Sequence, residues 1–405
     1  MADSNNDFQY LNKEYWSNEM QKTLFVENTA VFLADTEAGR VLASNGRKFH
    51  NPILSHPTTG TYTPGKDIDD KDLTSTTDYL EVDTFRYASV YVDDTQKKQG
   101  FYDAAEHASM SMQKQLNTLV EQAFLNLVKT TAGHTVDARD VGGAAGSNIE
   151  LLASNATKVF IAGHTKLDTA DAPYLNRVAV VGAHTVGVLR EVKSGRETTL
   201  GDSVLANGII GPWQNWIVVQ NNNLPWTATL TIDTNPIDGD TLTIAGVTFE
   251  FQDDLDDVTT DNVGVLRDGS TVATSRAALT ACIADTGTAG TTYTVMTGEQ
   301  RFLIQKRNIV CTSVEAMAFT GNGDIVVSET FNASTNVWSA RTQYSWFGLR
   351  GATDLALQMP ASVEVVRVEK RFGDRIKSLE GFGLKTFADG ARGLIAVKLS
   401  AEDWV

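Results

Sequence analysis

Phe101-Tyr-Asp-Ala-Ala-Glu-His-Ala-Ser-Met-Ser-Met-Gln-Lys-Gln-Leu-Asn-Thr-Leu-Val-Glu-Gln-Ala-Phe-Leu-Asn-Leu-Val-Lys-Thr-Thr-Ala132 holds neither proline nor glycine, and Gly100 and Gly133 bracket it. Phe101, Ala105, Ala108, Met112, Leu116, Leu119, Ala123 and Leu127 recur in steps of three or four. That spacing lays one apolar stripe along a helix. It predicts a single continuous helix over 101–132, roughly 45 Å long at about 1.5 Å per residue. Most globular helices are shorter.

Upstream of this helix lies a polar stretch, Asn45 to Asp83. It carries Pro52, Pro57, Pro64 and five aspartates from Asp67 to Asp78. A structureless loop of that length is rare inside a compact domain, so two extended strands are expected there. Phe85 to Val92 reads as a strand with sizeable side chains on both faces. A half-buried strand normally has one polar face. Two readings stand: a strand sandwiched between the helix and another surface, or a central sheet strand. Residues 1–44 read as an N-terminal arm with short helices. Its aromatic residues, Tyr15 and Trp16 among them, suit packing on a neighbouring subunit.

Bulk properties bound the rest. The 405 residues suffice for two or three domains, and 42% apolar content is that of a globular chain. No apolar run approaches the ~20 residues that span a bilayer. Met1 to Asp7 has no basic and apolar signal pattern, so synthesis in a cytoplasm and no membrane partner are expected. Net charge is −16, which disfavours a nucleic-acid-reading module because such binding needs Lys and Arg to displace counterions. Two cysteines, Cys282 and Cys311, make no disulfide framework.

Downstream, Asn155–Leu167 and Thr185–Val192 read as helices, with Arg177–Val181 a buried strand between them. Gly142 to Gly146 reads as a flexible connector. Texture changes at Trp226. Thr227–Asp233, Thr241–Ile244 and Val247–Phe251 read as strands, the last two joined by a tight turn at Ala245-Gly246. Tyr293–Met296, Arg301–Gln305 and Ile325–Ser328 are expected to be strands. Ser275–Ala284 is expected to be a helix capped by Ser275. Residues 227–340 hold 15 Asp and Glu against 5 Lys and Arg, so most of the excess negative charge sits there. Leu355–Met359 reads as the end of a helix. Val363–Val368, Leu379–Phe387 and Leu394–Leu399 read as returning strands. A β-rich module between flanks that belong together is expected to be an insertion.

Catalytic patterns are lacking. None of the six histidines stands at a zinc-site spacing, and no P-loop, G-x-G-x-x-G or G-x-S-x-G elbow occurs. His107 beside Glu106 reads as a helix-surface position. Asp67–Asp72 and Asp253–Asp257 lack the glycine and terminal glutamate of a calcium loop and read as solvated acidic loops. No enzyme activity, cofactor or metal is expected.

The order of parts, with Asn176-Arg-Val-Ala-Val-Val-Gly-Ala-His184, Leu205-Ala-Asn-Gly-Ile-Ile-Gly-Pro-Trp-Gln-Asn-Trp-Ile-Val-Val219, Val363 to Asp374 and Gly381 to Phe387, resembles the major capsid proteins of tailed bacteriophages, the Hong Kong 97 type. The resemblance covers nearly three quarters of the chain. It implies an α+β capsid fold with these parts: an arm over 1–44, an extended loop over 45–83, a peripheral domain with a spine helix over 84–134 and 361–405, an axial domain over 135–226 and 341–360, and an inserted β-rich domain over 227–340. It implies self-assembly into hexamers and pentamers of an icosahedral shell around double-stranded DNA, which is held without sequence-specific contact. The implied location is the virion capsid, assembled in the host bacterial cytoplasm. A separate scaffolding protein is implied, because no charged helical segment precedes the arm, as are a portal and in some relatives a decoration protein. Some relatives crosslink a loop lysine to a neighbour's asparagine. Lys66 and Lys71 lie in the loop, but no acceptor is marked, and solvated lysines are expected.

Lys66, Asp67, Asp69, Asp70, Lys71 and Asp72 of the loop, Arg86 of the following strand, and Tyr15 and Trp16 of the arm are therefore the candidate inter-subunit contacts. Rim charges of this kind set register and specificity more than affinity. Two other function classes remain open at this level. One is a phage or cell-surface protein whose β-rich module binds carbohydrate or a host receptor through Trp226 and Trp338. The other is a hydrolase using the acidic clusters.

Overall fold

The computed structural model describes residues 29–42, 46–55, 57–68, 70, 72–99, 104–194, 212–267, 271–312, 317–323, 327–329, 336–369 and 371–400. Helices α1 (Ala30–Leu33) and α2 (Glu37–Leu42) precede a hairpin of β1 (Lys48–Leu54) and β2 (Ser75–Glu81). Strand β3 (Thr84–Asp93), α3 (Asp94–Gln99), the long α4 (Ala104–Asn126), α5 (Val128–Thr131), β4 (His134–Val136) and α6 (Ala138–Val141) follow. Then come α7 (Ala156–Thr169), β5 (Arg177–Val181), α8 (Ala183–Ser194) and β6 (Ile217–Gln220). The β-rich half holds β7 (Pro225–Ile232), β8 (Asp240–Ile244), β9 (Val247–Gln252), β10 (Val263–Leu266), β11 (Val310–Cys311), β12 (Met317–Asn322) and β13 (Val327–Glu329), with helices at Val272–Ala284 and Gly298–Lys306. The closing strands are β14 (Asn336–Leu349), β15 (Asp354–Arg367), β16 (Gly373–Lys385) and β17 (Leu394–Ser400).

The expected long helix is present from Ala104 to Asn126 but stops earlier than its apolar stripe. At Leu127 the backbone tightens: its N–H reaches Phe124 O, three residues back, and Thr131 Oγ1 donates to Leu127 O at 2.8 Å. The stripe is only half the account of its burial. Met112 and Leu116 are buried as the spacing predicts, and so are Val120, Phe124, Leu125, Glu121 and Gln122. From Thr118 to Asn126 no residue of α4 is exposed.

One face of α4 lies across a three-stranded antiparallel sheet, β15-β16-β3. Ile376 packs with Met112 and Val92, and Phe382 with Val120 and Leu355. The helix expected to end over Leu355–Met359 is instead part of β15, paired along its length with β16. Leu355, Leu357 and Met359 alternate with period two, the strand signature. The central-strand alternative for β3 fails, while its own helix covers one face as the other reading expected. Strand β3 is an edge strand, bonded to β16 alone, and the face away from α4 is open.

The other side of α4 meets an eight-stranded mixed sheet, β11-β12-β7-β14-β17-β4, with β5 on β14 and β6 on β5. Phe124 packs on Trp346 there, with ring centroids 6.3 Å apart. Helices α7 and α8 cover a second core around Phe160, Trp213, Trp216 and Phe347. The fully buried Arg177 organises its rim. It pairs with Asp168 at 2.6 Å and meets His164 Nδ1 at 2.7 Å, while His164 Nε2 lies 2.5 Å from Gln214 O, fixing the Trp213–Trp216 turn. The stretch 142–146 expected to be a connector serves α6, whose C-cap is Gly142 with φ +106°.

The β-rich lobe adds a four-stranded sheet, β10-β9-β8-β13. Its β8–β9 hairpin turns at Ala245 (φ +53°) and Gly246 (φ +83°), as Ala245-Gly246 predicted. Its core is drawn from residues between Trp226 and Trp338. Yet β14 is one strand of 14 residues, with a register shift between Ser339 and Thr342: its first half pairs with β7 and its second with β17 and β5. The lobe thus has its own core and shares a sheet with the body. Three local readings need correction. Residues 301–305 are helical, started by a capping box in which Thr297 and Gln300 each bind the other's backbone N–H. The preceding helix is capped at Thr271, and Ser275 is a buried residue inside it that donates to Asn235. Tyr293–Met296 makes only isolated bridges at Tyr293.

Candidate assembly surfaces

The hairpin β1–β2 is rooted in the body and free beyond it. Leu80 and Val82 pack with Ala38, Leu42, Ala356 and Phe387. Asp78 pairs with Lys385 at 3.1 Å, and Glu81 with Arg47 and Lys48. Gly383 allows the approach, since a Cβ there would lie 2.3 Å from Glu81 O. Past this root every described residue from Pro57 to Thr77 is exposed. Lys66, Asp67, Asp70 and Asp72 all lie at this tip, beside an exposed Ile68 and Leu73. Asp69, Lys71, Tyr15 and Trp16 lie outside the described residues.

A second apolar surface lies on the open face of the β15-β16-β3 sheet. Phe85, Met359, Tyr87 and Leu379 point away from α4; Phe85 and Met359 both rest over Gly381, and Tyr87 stands opposite Leu379. Tyr87 is 79% exposed.

Arg86 points the other way, into a cleft of about 760 Å³ between α4, β3 and the β-rich lobe. Met112 and Leu116 floor it; Ile283, Ile304 and Val310 form the lobe's wall. Arg301 and Asp285 also line it and pair with each other at 2.8 Å. Arg86 has no ion pair among the described residues. The chain therefore keeps the tip acids and Arg86 apart.

Four buried or half-buried polar groups were not marked by the sequence. Glu121, fully buried on α4, accepts from Thr29 N and Oγ1, Asn221 Nδ2 and Asn223 Nδ2 at 2.5, 3.0, 2.7 and 2.6 Å. It ties the start of the described N-terminal segment, the long helix and the approach to β7 into one knot. Glu380 lies under α4, cross-strand from Arg86 but unpaired with it, and one of its carboxyl oxygens has no partner. Burial pushes this carboxyl up to about 7. Asp354 rises to about 6, first through burial and then through the nearby charges of Asp35 and Glu37. The fourth group, Arg177, is satisfied as described above.

The acidic loop 252–262 is structured from within. Asp253 pairs with Arg267 and Asp254 caps a single helical turn, while the buried Glu250 accepts from Gln252, Thr259 and Asn262. Those hydrogen bonds hold the Glu250 carboxyl below its usual range against the opposing effect of burial. Among the described residues no group of three or more His, Cys, Asp or Glu is arranged to hold a metal ion, and no helix is long and apolar enough to cross a membrane. Trp226 and Trp338, proposed as sugar-stacking aromatics, are buried in the lobe's core. His107 lies on α4, but its side chain is outside what is described.

No protein-family model matches the sequence, and no curated protein does. Solved structures do match. One of Mycobacterium phage Che8 superimposes with a TM-score of 0.57 at 16% identity, covering 97% of each chain. A capsid structure of the cyanophage P-SCSP1u gives 0.53 at 10% identity, covering 97% of this chain and 94% of that one. The asymmetric unit of the bacteriophage PhiM1 mature capsid gives 0.52 at 12% identity, covering 96% and 93%. The likeness thus runs over nearly the full length, and the chain has the α+β, Hong Kong 97-type fold of phage capsid proteins.

Proposed function

We propose that the chain is the major capsid protein of a tailed double-stranded DNA phage. Its copies build hexamers and pentamers that close into an icosahedral shell around the genome. The observation that carries this reading is the hairpin: it stands clear of its own subunit, carries exposed apolar side chains, and belongs to a fold shared with capsid structures over nearly the whole chain. A monomer gains nothing from such an element, whereas a shell buries it.

On this reading 84–134 and 361–405 form the peripheral domain and 135–226 with 341–360 the axial domain. Residues 227–340 are an inserted domain, and 1–44 are an arm laid on a neighbour. The protein's work is structural, with no catalytic residue. Its partners are its own copies, a separate scaffolding protein, a portal and, in a mature virion, a decoration protein. It assembles in the host bacterial cytoplasm and ends in the virion. The net charge of −16 favours a container that does not adhere to the DNA inside it.

Negative-stain microscopy of the purified full chain, alone and with its scaffold, tests the proposal. Capsomers or closed shells are expected; a chain that stays monomeric under both conditions contradicts it.

A further inference from the structure

We propose that Asp35, Glu37 and Asp354 form a proton-gated latch that sets how firmly α2 is seated under the hairpin root. The latch belongs to the single chain and does not depend on the capsid reading.

Three carboxylates meet where the N-terminal segment crosses β15. Asp35 forms an isolated parallel bridge with Asp354, so the two aspartates stand directly opposite each other. The backbone of the bridge is well made: the Asp35 N–H donates to Thr353 O at 2.9 Å, and the Leu355 N–H donates to Asp35 O at 2.8 Å. Glu37 begins α2 two residues on, and its N–H donates to Asp35 Oδ1 at 2.9 Å. Like charges placed directly opposite oppose such a pairing. Among the described residues none of the three carboxylates has an ion pair. The cations around them are engaged elsewhere or face solvent. Lys385, cross-strand from Asp354 on β16, pairs with Asp78 at 3.1 Å and holds that carboxyl below its usual range. Arg350 Nε donates to Phe32 O at 2.8 Å, with its guanidinium over the Phe32 ring. Arg40, in the last turn of α2, is exposed.

Asp354 is the half-buried member. Burial first, and then the charges of Asp35 and Glu37, raise its carboxyl from the ordinary 3.8 to about 6. A carboxyl raised in the folded chain contributes stability that is complete below about pH 3.8 and is lost as pH rises through 6. A rise of that size changes the balance between a seated and an open segment by roughly a hundredfold at most. Salt reduces the part that comes from the exposed Asp35 and Glu37. What the latch holds is α2. Ala38 and Leu42 pack with Leu80 and Val82 of the hairpin root and with Ala356, two residues beyond Asp354. Gly39 lies so close to β15 that a Cβ there would be 3.0 Å from Leu355 O. Gln358 Nε2 donates to Leu42 O and Gly46 O at 3.1 and 2.8 Å. Loss of the Asp354 proton therefore loosens the packing that fixes how the hairpin leaves the body. The hairpin is held firmly in acid and more freely at neutral pH.

Hydrogen–deuterium exchange of the unassembled full chain tests the latch, and no outcome bears on shell formation. Rates are corrected for intrinsic exchange, and peptides from β17 serve as the reference for global opening. Protection over 35–42 and 78–82 is expected to fall by roughly tenfold to thirtyfold relative to β17 between pH 4.5 and pH 7.5. Asp354→Asn should keep both stretches at their acid-level protection across that range. Asp35→Asn combined with Glu37→Gln, both at exposed positions, should reduce the fall severalfold. Added salt at pH 7.5 should restore part of the protection in the wild-type chain and none in Asp354→Asn. A fall that persists in Asp354→Asn overturns the latch, as does one over 35–42 that leaves 78–82 unchanged, or one no larger than that of β17. Should Asp354→Asn fold poorly, the paired variant decides, and an undiminished fall there overturns the latch as well.

Discussion

Replacing Glu121 by alanine tests how the N-terminal segment is held to the long helix. The substitution removes the only acceptor of the Thr29 N–H and the Asn223 amide described for that knot. Asn221 Nδ2 still donates to the Thr29 hydroxyl oxygen at 2.9 Å, whereas the hydroxyl proton loses Glu121 as its acceptor. Three donors therefore lose their acceptor, at about 1–3 kcal/mol for a buried one and less for the two on half-buried Thr29, and the vacated side-chain volume adds a cavity cost. The expected loss is about 3–5 kcal/mol. Glutamine keeps one acceptor oxygen but turns an NH2 group toward a donor, so Glu121→Gln should cost about 1–2 kcal/mol. Urea unfolding of the unassembled chain reads both, because Trp346 packs on Phe124 one helical turn from Glu121 and reports the same core. Midpoints compared at constant slope give the differences. In a double-mutant cycle with Asn223→Ala the two losses should be strongly non-additive. An alanine variant within 1 kcal/mol of wild type, or alanine and glutamine variants of equal stability, would refute the clasp.

Three further outcomes are expected. Trp226→Ala should lower stability by about 3–5 kcal/mol, the range for truncating a buried aromatic, in thermal unfolding; a small change would return Trp226 to the surface role considered for it. Glu380 has a carboxyl raised to about 7 when folded, above its ordinary 4.5. Its contribution to stability is thus complete below about pH 4.5 and is lost as pH rises through 7; Glu380→Gln should flatten the fall in urea midpoint between pH 5 and pH 8, and an unchanged slope would count against a buried, unpaired carboxyl. Gly383→Ala would set a Cβ against Glu81 O and should cost about 1–3 kcal/mol through strain at the hairpin root, so an unshifted melting temperature would argue that the hairpin does not root there.

The sequence made local, periodic features legible. The spacing from Ala108 to Leu119 marked the helix, the proline- and aspartate-rich stretch marked a two-stranded loop, and Ala245-Gly246 marked a hairpin turn. What it hid was long-range. Glu121 looks like a solvent-facing residue until Asn221 and Asn223, about one hundred positions away in the chain, supply its donors. The continuity of β14 through residue 340 has no compositional trace, because pairing with β7, β17 and β5 sets it. The candidate contacts show the same division. Arg86 and the tip acids stood out as charges in an apolar or extended context, but the cleft around Arg86 takes its far wall from residues 283–311. One miss was avoidable: Thr297-Gly-Glu-Gln300 is a capping box in plain sequence, and it argued for a helix where a strand was expected.

The central claim is that this fold exists to be shared between copies. A cryo-electron microscopy map of assembled particles tests it most directly. The account predicts closed shells with fivefold and sixfold capsomers, in which each hairpin from Lys48 to Glu81 lies on an adjacent subunit. Hairpins folded back onto their own subunits, or a chain that forms no symmetric particle, would contradict it.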